Sequence, residues 1–111
     1  MSRPDMEWLP ADAAPEGAVF ALRLTDDALA PAGTVLYADR ERLENGDMGV
    51  FLLKGQALCR QYYRDALGMV YLFSPDRSRP EEDLILPPSR LRELVCLGRL
   101  MLPRRPIPGR E

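Results

Sequence analysis

Met48-Gly49-Val50-Phe51-Leu52-Leu53-Lys54-Gly55-Gln56-Ala57-Leu58-Cys59-Arg60-Gln61-Tyr62-Tyr63 is the stretch that decides the fold class of this chain. Two apolar runs flank a two-residue linker containing glycine, which is the signature of a β-hairpin. Upstream, Glu44-Asn45-Gly46-Asp47 reads as a turn, because Asn-Gly accepts positive φ at little cost. Before it, Val35-Leu36-Tyr37-Ala38 and Val19-Phe20-Ala21-Leu22-Arg23-Leu24 have the character of short buried strands, separated by the turn signal Pro31-Ala32-Gly33. Downstream, Asp65-Ala66-Leu67-Gly68 turns the chain into a strand over residues 69–73. A polar loop with Pro75 and Pro80 follows, then a brief strand Leu84-Ile85-Leu86 stopped by Pro87-Pro88. One helical turn over residues 91–94 and a final apolar strand over 94–101 complete the pattern. Short strands punctuated by turn residues predict a mainly β domain.

The chain has 111 residues, which suits one domain. Residues 1–17, rich in Pro, Ala, Asp and Gly, read as an irregular N-terminal arm with Trp8 and Leu9 as its anchors. Residues 18–102 form the domain, and residues 103–111 a flexible Pro/Arg-rich tail. A net charge of -2 gives no bulk drive toward nucleic acid. Arg104, Arg105 and Arg110 could touch phosphate, but a short solvated tail is the preferred reading. No apolar run reaches the ~20 residues of a membrane span, and Met1-Ser2-Arg3-Pro4-Asp5 lacks a signal-peptide layout, so a cytoplasmic location is expected. Cys59 and Cys96 lie in apolar segments without ligand spacing and are expected to be buried, reduced thiols. There is no histidine, which excludes Ser-His and Cys-His nucleophile pairs and His-ligated metals.

Three blocks carry a family resemblance. These are Leu22 through Pro31, including Asp26-Asp27-Ala28-Leu29-Ala30-Pro31; Gly46-Asp47-Met48-Gly49-Val50-Phe51; and Leu58-Cys59-Arg60-Gln61-Tyr62-Tyr63 on to Val70-Tyr71-Leu72-Phe73-Ser74. In order and approximate spacing they resemble the active-site blocks of the LexA-type and phage-repressor-type serine peptidases, over about residues 18–101. The resemblance implies a fold of coiled β-sheets of the LexA C-terminal and signal-peptidase type. It also implies a nucleophilic Ser directly before Met in the first block and a Lys general base in the third. Here those two positions are Ala28 and Arg60, while Leu29 fills the Met slot as a volume-conserving plug. Asp27, Leu29 and Pro31 would line the cleft. Between Pro31 and Gly33 the chain is a few residues shorter than the family pattern, so the cleft is expected to differ in shape.

The two departures bear directly on chemistry. A serine hydroxyl needs a neutral base to take its proton, and burial can make lysine neutral near working pH. Holding an arginine neutral near pH 7 would cost about 7 kcal/mol, at ~1.36 kcal/mol per pKa unit. Ala28 has no oxygen, and losing such a nucleophile typically costs on the order of 10⁶ in rate. The resemblance therefore predicts a degenerate dyad and no enzyme activity.

Other residues offer little as replacements. Lys54, the only lysine, falls at the hairpin tip; Ser74, Ser78 and Ser89 fall in loops; Thr25 reads as a strand-end hydroxyl bonding backbone. Asp26, Asp27 and Asp47 could gather a hard cation, though turn capping is the simpler use of the first two. A carboxylate paired with Arg60 is favoured over a metal, and no cofactor is implied. Tyr62, Tyr63, Tyr71 and Phe73 could stack bases, but core or interface packing is the commoner use. In this family the C-terminal domain is also the repressor's dimerisation module, and nothing upstream of Ala18 resembles a helix-turn-helix. The expectation is thus an inactive peptidase-like domain acting through protein contacts, as a homodimer or with a LexA-type repressor. Its final strand, with Val95, Leu97, Arg99 and Met101, is the candidate interface, on the ground that edge strands invite partners. The rival readings are a hydrolase using unrecognised residues and nucleic-acid binding through the Arg-rich tail.

Overall fold

A computed structural model describes the backbone of residues 6–9 and all of residues 14–109. Among the described residues, eight strands form one antiparallel sheet: β1 (Met6–Leu9), β2 (Phe20–Leu24), β3 (Val35–Asp39), β4 (Met48–Leu53), β5 (Gln56–Arg64), β6 (Val70–Phe73), β7 (Leu84–Leu86) and β8 (Leu94–Leu100). The only helices among the described residues are two short 3₁₀ segments, Pro80–Glu82 and Pro88–Glu93, so the mainly β expectation holds. Where an irregular arm was expected, Met6–Leu9 pairs with β2 from Met6↔Leu24 to Leu9↔Ala21. The side chains of Trp8 and Leu9 lie outside the described residues. The second 3₁₀ helix begins three residues before the helical turn expected at 91, because Pro88 suits a first helical turn.

The strand order is β1-β2-β3-β8-β4-β5-β6-β7. Two meanders, β1–β3 and β4–β7, are thus joined by the last strand. The β4–β5 hairpin closes with Leu53 opposite Gln56, and both linker residues have positive φ, 51° at Lys54 and 77° at Gly55. That pair of values makes the tight, right-twisted turn a two-residue hairpin needs.

Strand β4 explains its own unbroken hydrophobicity. Met48 and Val50 pack into one core cluster with Leu22, Leu24, Leu36 and Leu100. Phe51, on the opposite face, belongs to a second cluster with Val70, Leu72 and Leu86. A strand buried on both faces has no polar alternation to show. Gly49 leaves room for the Phe51 ring, since a Cβ there would stand 2.7 Å from its Cζ.

Placing β8 inside the sheet corrects its reading as an edge strand. It pairs with β4 from Gly49↔Arg99 to Leu53↔Leu94, with a bulge between Val50 and Phe51, and with β3 at Ala38↔Leu100 and Asp39↔Arg99. The outer strands are β1 and β7. An internal position suits β8 because its C-terminal half is too apolar for solvent: Gly98 and Leu100 are buried.

Candidate active-site cleft

After β2 the chain leaves the sheet in a turn held by its own carboxylates. Asp26 Oδ1 accepts the Ala28 N–H at 3.0 Å, and Asp27 Oδ1 accepts the Ala32 N–H at 2.6 Å. Leu24 and Thr34 then resume pairing, with Leu24 N–H donating to the Thr34 carbonyl at 2.9 Å. The turn is pinned from below by Leu29, which is buried in the first core cluster. Cys59 of β5 lies in that same cluster, so one core fixes both the turn and the strand that carries Arg60.

The result is a small cavity of about 30 Å³ between turn and strand, lined by Ala28, Leu29, Asp26, Cys59, Arg60 and Ser74 among others. The two positions separated by 32 residues in sequence are brought to one site. Asp27 lies in an adjoining surface hollow with Ala28 and Thr25, while Pro31 is exposed at the far end of the turn.

Arg60 does not reach across this cavity to an acid. Its Nη1 donates to the carbonyl of its own neighbour, Cys59, at 2.9 Å, and its buried Nε has no hydrogen-bond partner. No ion pair to Arg60 occurs among the described residues, which corrects the expected carboxylate pair. The physical reason is that the nearby acids are already used. Asp26 and Asp27 hold the turn, and Glu82 and Asp76 face Arg79 at 3.9 and 3.5 Å.

Asp47 is elsewhere, buried, with Oδ1 accepting from Arg104 Nε at 2.9 Å and Oδ2 from the Glu44 N–H at 2.8 Å. The three aspartates considered for a cation therefore do not converge. Among the described residues no group of three or more His, Cys, Asp or Glu is placed to hold a metal ion. Ser74, the hydroxyl in the cavity wall, is engaged in its own loop: its Oγ accepts the Asp76 N–H at 3.2 Å. Ser78 Oγ bonds Asp76 Oδ1 at 2.5 Å, and Lys54 sits exposed at the hairpin tip, outside the cavity lining.

Two contributors escaped the sequence reading. Gln61 is 4% exposed, and its Nε2 donates to the carbonyls of Arg105 at 2.8 Å and Pro106 at 3.3 Å. Arg105 Nη2 in turn donates to the Leu29 carbonyl at 3.0 Å, within the turn that carries Ala28. Where a free tail was expected, residues 104–106 thus bind the back of the cleft, and Arg104 also pairs with Glu44. The available signal was Gln61 itself, a polar residue in an apolar strand, which must find a partner once buried.

The remaining candidates separate. Arg99 is committed to Asp39 through Nε–Oδ1 at 3.1 Å and Nη2–Oδ2 at 2.7 Å, and that guanidinium holds the Asp39 carboxyl below the usual carboxylate range despite burial. The Met101 N–H donates to the Tyr37 carbonyl, Leu97 is half-buried, and Val95 is exposed. Cys59 is buried as expected, whereas Cys96 is exposed at the residue level, a correction. Burial of the Cys96 sulfur nonetheless pushes its thiol pKa up, away from reactivity. Tyr63, Tyr71 and Phe73 form a ladder with ring centroids 5.6 and 5.9 Å apart, closed by Arg77 over Phe73. Tyr62 packs against the second core cluster.

Fold and cavity together describe a mainly β domain in which a turn after the second strand faces a strand of the central hairpin. No family model matches the chain. It is 28% identical over 98 residues to a LexA repressor of Carboxydothermus hydrogenoformans, covering 84% of this chain and 46% of that protein. The chain thus spans about half the length of the curated relative it matches, and the similarity supports a LexA-like domain. No helix among the described residues is long and apolar enough to cross a membrane.

Proposed function

We propose that this chain is a LexA-like peptidase domain that has lost its reaction and works through protein contacts, as a homodimer or bound to a LexA-type repressor. The observation that carries this reading is the meeting of Ala28 and Arg60 at one cavity. A methyl group stands where the resemblance calls for an attacking oxygen. A permanent cation, folded onto the Cys59 carbonyl, stands where it calls for a base. Ser74 is the one hydroxyl among the described residues lining the cavity, and its Oγ accepts the Asp76 N–H.

The hydrolase alternative draws no support from Ser74 or Lys54, for the reasons of geometry given above. Binding of nucleic acid by the tail is weakened too, since Arg104 and Arg105 are engaged with carboxylates and carbonyls of the domain.

The test is covalent labelling with a serine-reactive phosphonate, together with prolonged incubation at alkaline pH. The natural chain should remain unlabelled and uncut. The A28S/R60K variant should gain label at position 28, an expectation supported by both positions lining one cavity. Labelling or peptide-bond scission by the natural chain would overturn the loss of chemistry. For the interaction half, a chain that stays monomeric at high micromolar concentration and captures no LexA-type repressor would overturn it.

A further inference from the structure

On the side of β8 facing away from β4, strand pairing is incomplete. β3 covers only Arg99 and Leu100, so Leu94 to Leu97 meet no strand on that side among the described residues. Beside this half-edge lies an open groove of about 650 Å³. Its floor is apolar, with Leu43, Tyr62 and Leu97, and the segment after β3 forms its rim.

The rim is basic in an otherwise acidic protein. Arg40, Arg42 and Arg64 line the groove, all three exposed, and none makes an ion pair among the described residues. By contrast, Arg77, Arg79, Arg90, Arg99 and Arg104 each have a carboxylate within 4.0 Å. Glu41 is the one carboxylate among the described residues lining this groove; the hollow next to it, which shares Arg42, Arg64 and Glu41, also holds Glu44 and Asp65, so the basic character belongs to the groove itself.

Resting on the reading that the domain acts through protein contacts, we infer that this groove receives an extended, acidic peptide segment of a partner protein, added as a strand beside Leu94 to Leu97. Each feature selects that occupant. The Leu94 N–H already donates to the Leu91 carbonyl, but the edge from Val95 to Leu97 meets no strand on that side, and such an edge favours another extended backbone. An apolar floor takes alternate side chains of such a strand, and three uncommitted guanidinium groups favour Asp or Glu on the others. A second copy of this chain would instead bring a like-charged arginine rim to the same edge, which charge complementarity disfavours.

The probe is a fluorescein-labelled octapeptide of alternating Val and Asp, with a Val/Lys octapeptide as control, titrated against the full chain by anisotropy. The Val/Asp peptide should bind and the control should not. The R40E/R42E variant should weaken binding about five- to tenfold, as should a rise to molar salt. Hydrogen exchange of the amides within Val95–Leu97 that face away from β4 should slow on binding. No binding, binding unchanged in R40E/R42E, or protection mapping to another strand would each overturn the groove. So would self-association that protects Val95–Leu97 and that the peptide cannot displace. A chain that binds neither peptide but stays unlabelled by phosphonate overturns the groove alone. A labelled chain that binds the Val/Asp peptide supports the groove and strikes instead at the lost-chemistry reading.

Discussion

Replacing Asp39 by Asn should weaken the fold substantially, although it changes one atom. Asp39 ends β3, and its carboxylate side chain is 7% exposed, while that of Arg99 on β8 is 28% exposed. It accepts hydrogen bonds from Arg99 Nε and Nη2 and from the Glu41 N–H at 3.0 Å, so three donors converge on one buried carboxylate. Breaking a buried pair by removing one charge costs roughly 3–5 kcal/mol. Arg99 can partly rehydrate, and Asn keeps one acceptor, so about 2–3 kcal/mol is expected here. For a domain near 100 residues that lowers Tm by roughly 10–20 °C. Urea unfolding followed by far-UV circular dichroism would measure it, with Arg99→Met and the double variant closing a cycle. The pH dependence carries a sign. Because the folded carboxyl titrates below its unfolded value of about 3.9, its stabilisation is full above that value and is lost as pH falls through the folded one. The natural chain should therefore lose stability more steeply below about pH 4 than Asp39→Asn. A loss under ~0.5 kcal/mol, the range of ordinary surface substitutions, would refute the view that this pair fastens β8 to β3.

Gly98→Ala should destabilise by about 1–3 kcal/mol, since the new methyl would sit 2.8 Å from Phe20 Cε1 and 3.1 Å from the Asp39 carbonyl; an unchanged urea midpoint would show that β2 and β3 yield freely. Gln61→Leu should release the C-terminal segment by removing its bonds to the Arg105 and Pro106 carbonyls. Trypsin cleavage after Arg104 should then outpace the same cleavage in the natural chain at least severalfold, and equal rates would argue against the tether.

The strands and turns could be read from the chain because their signals are local. Apolar runs bounded by Asn45-Gly46, Lys54-Gly55 and Asp65-to-Gly68 correspond to β4, β5 and β6 within a residue or so. What escaped was order. Nothing local in Leu94-Val95-Cys96-Leu97 says that the last strand inserts between β3 and β4 rather than lying outside them, since that depends on pairing across about sixty residues. The Asp39–Arg99 pair shows the same limit: each residue reads as an ordinary surface charge until the sheet closes. In the cleft, the juxtaposition of Ala28 and Arg60 followed from the family resemblance, whereas Arg60's lack of an acid partner did not. That outcome depended on Asp26, Asp27, Asp76 and Glu82 each having a prior local use.

The parts that set Ala28 against Arg60 are the same parts that hold the domain together. Leu29 and Cys59 are core residues, Asp26 and Asp27 close a turn, and Gln61 and Arg105 tie that turn to the C-terminal segment. None of them depends on the chemistry of positions 28 and 60. A hydroxyl at position 28 and an amine at position 60 are therefore expected to be compatible with the same fold. Ala28→Ser adds one oxygen beside a cavity of about 30 Å³, room for roughly one water. Arg60→Lys removes the buried Nε that finds no partner. The double variant should consequently unfold within about 1 kcal/mol of the natural chain. Labelling at position 28 in a variant that remains folded would then report on the reacting groups alone; a collapse of the fold would mean that Arg60 has acquired a structural duty through its bond to the Cys59 carbonyl.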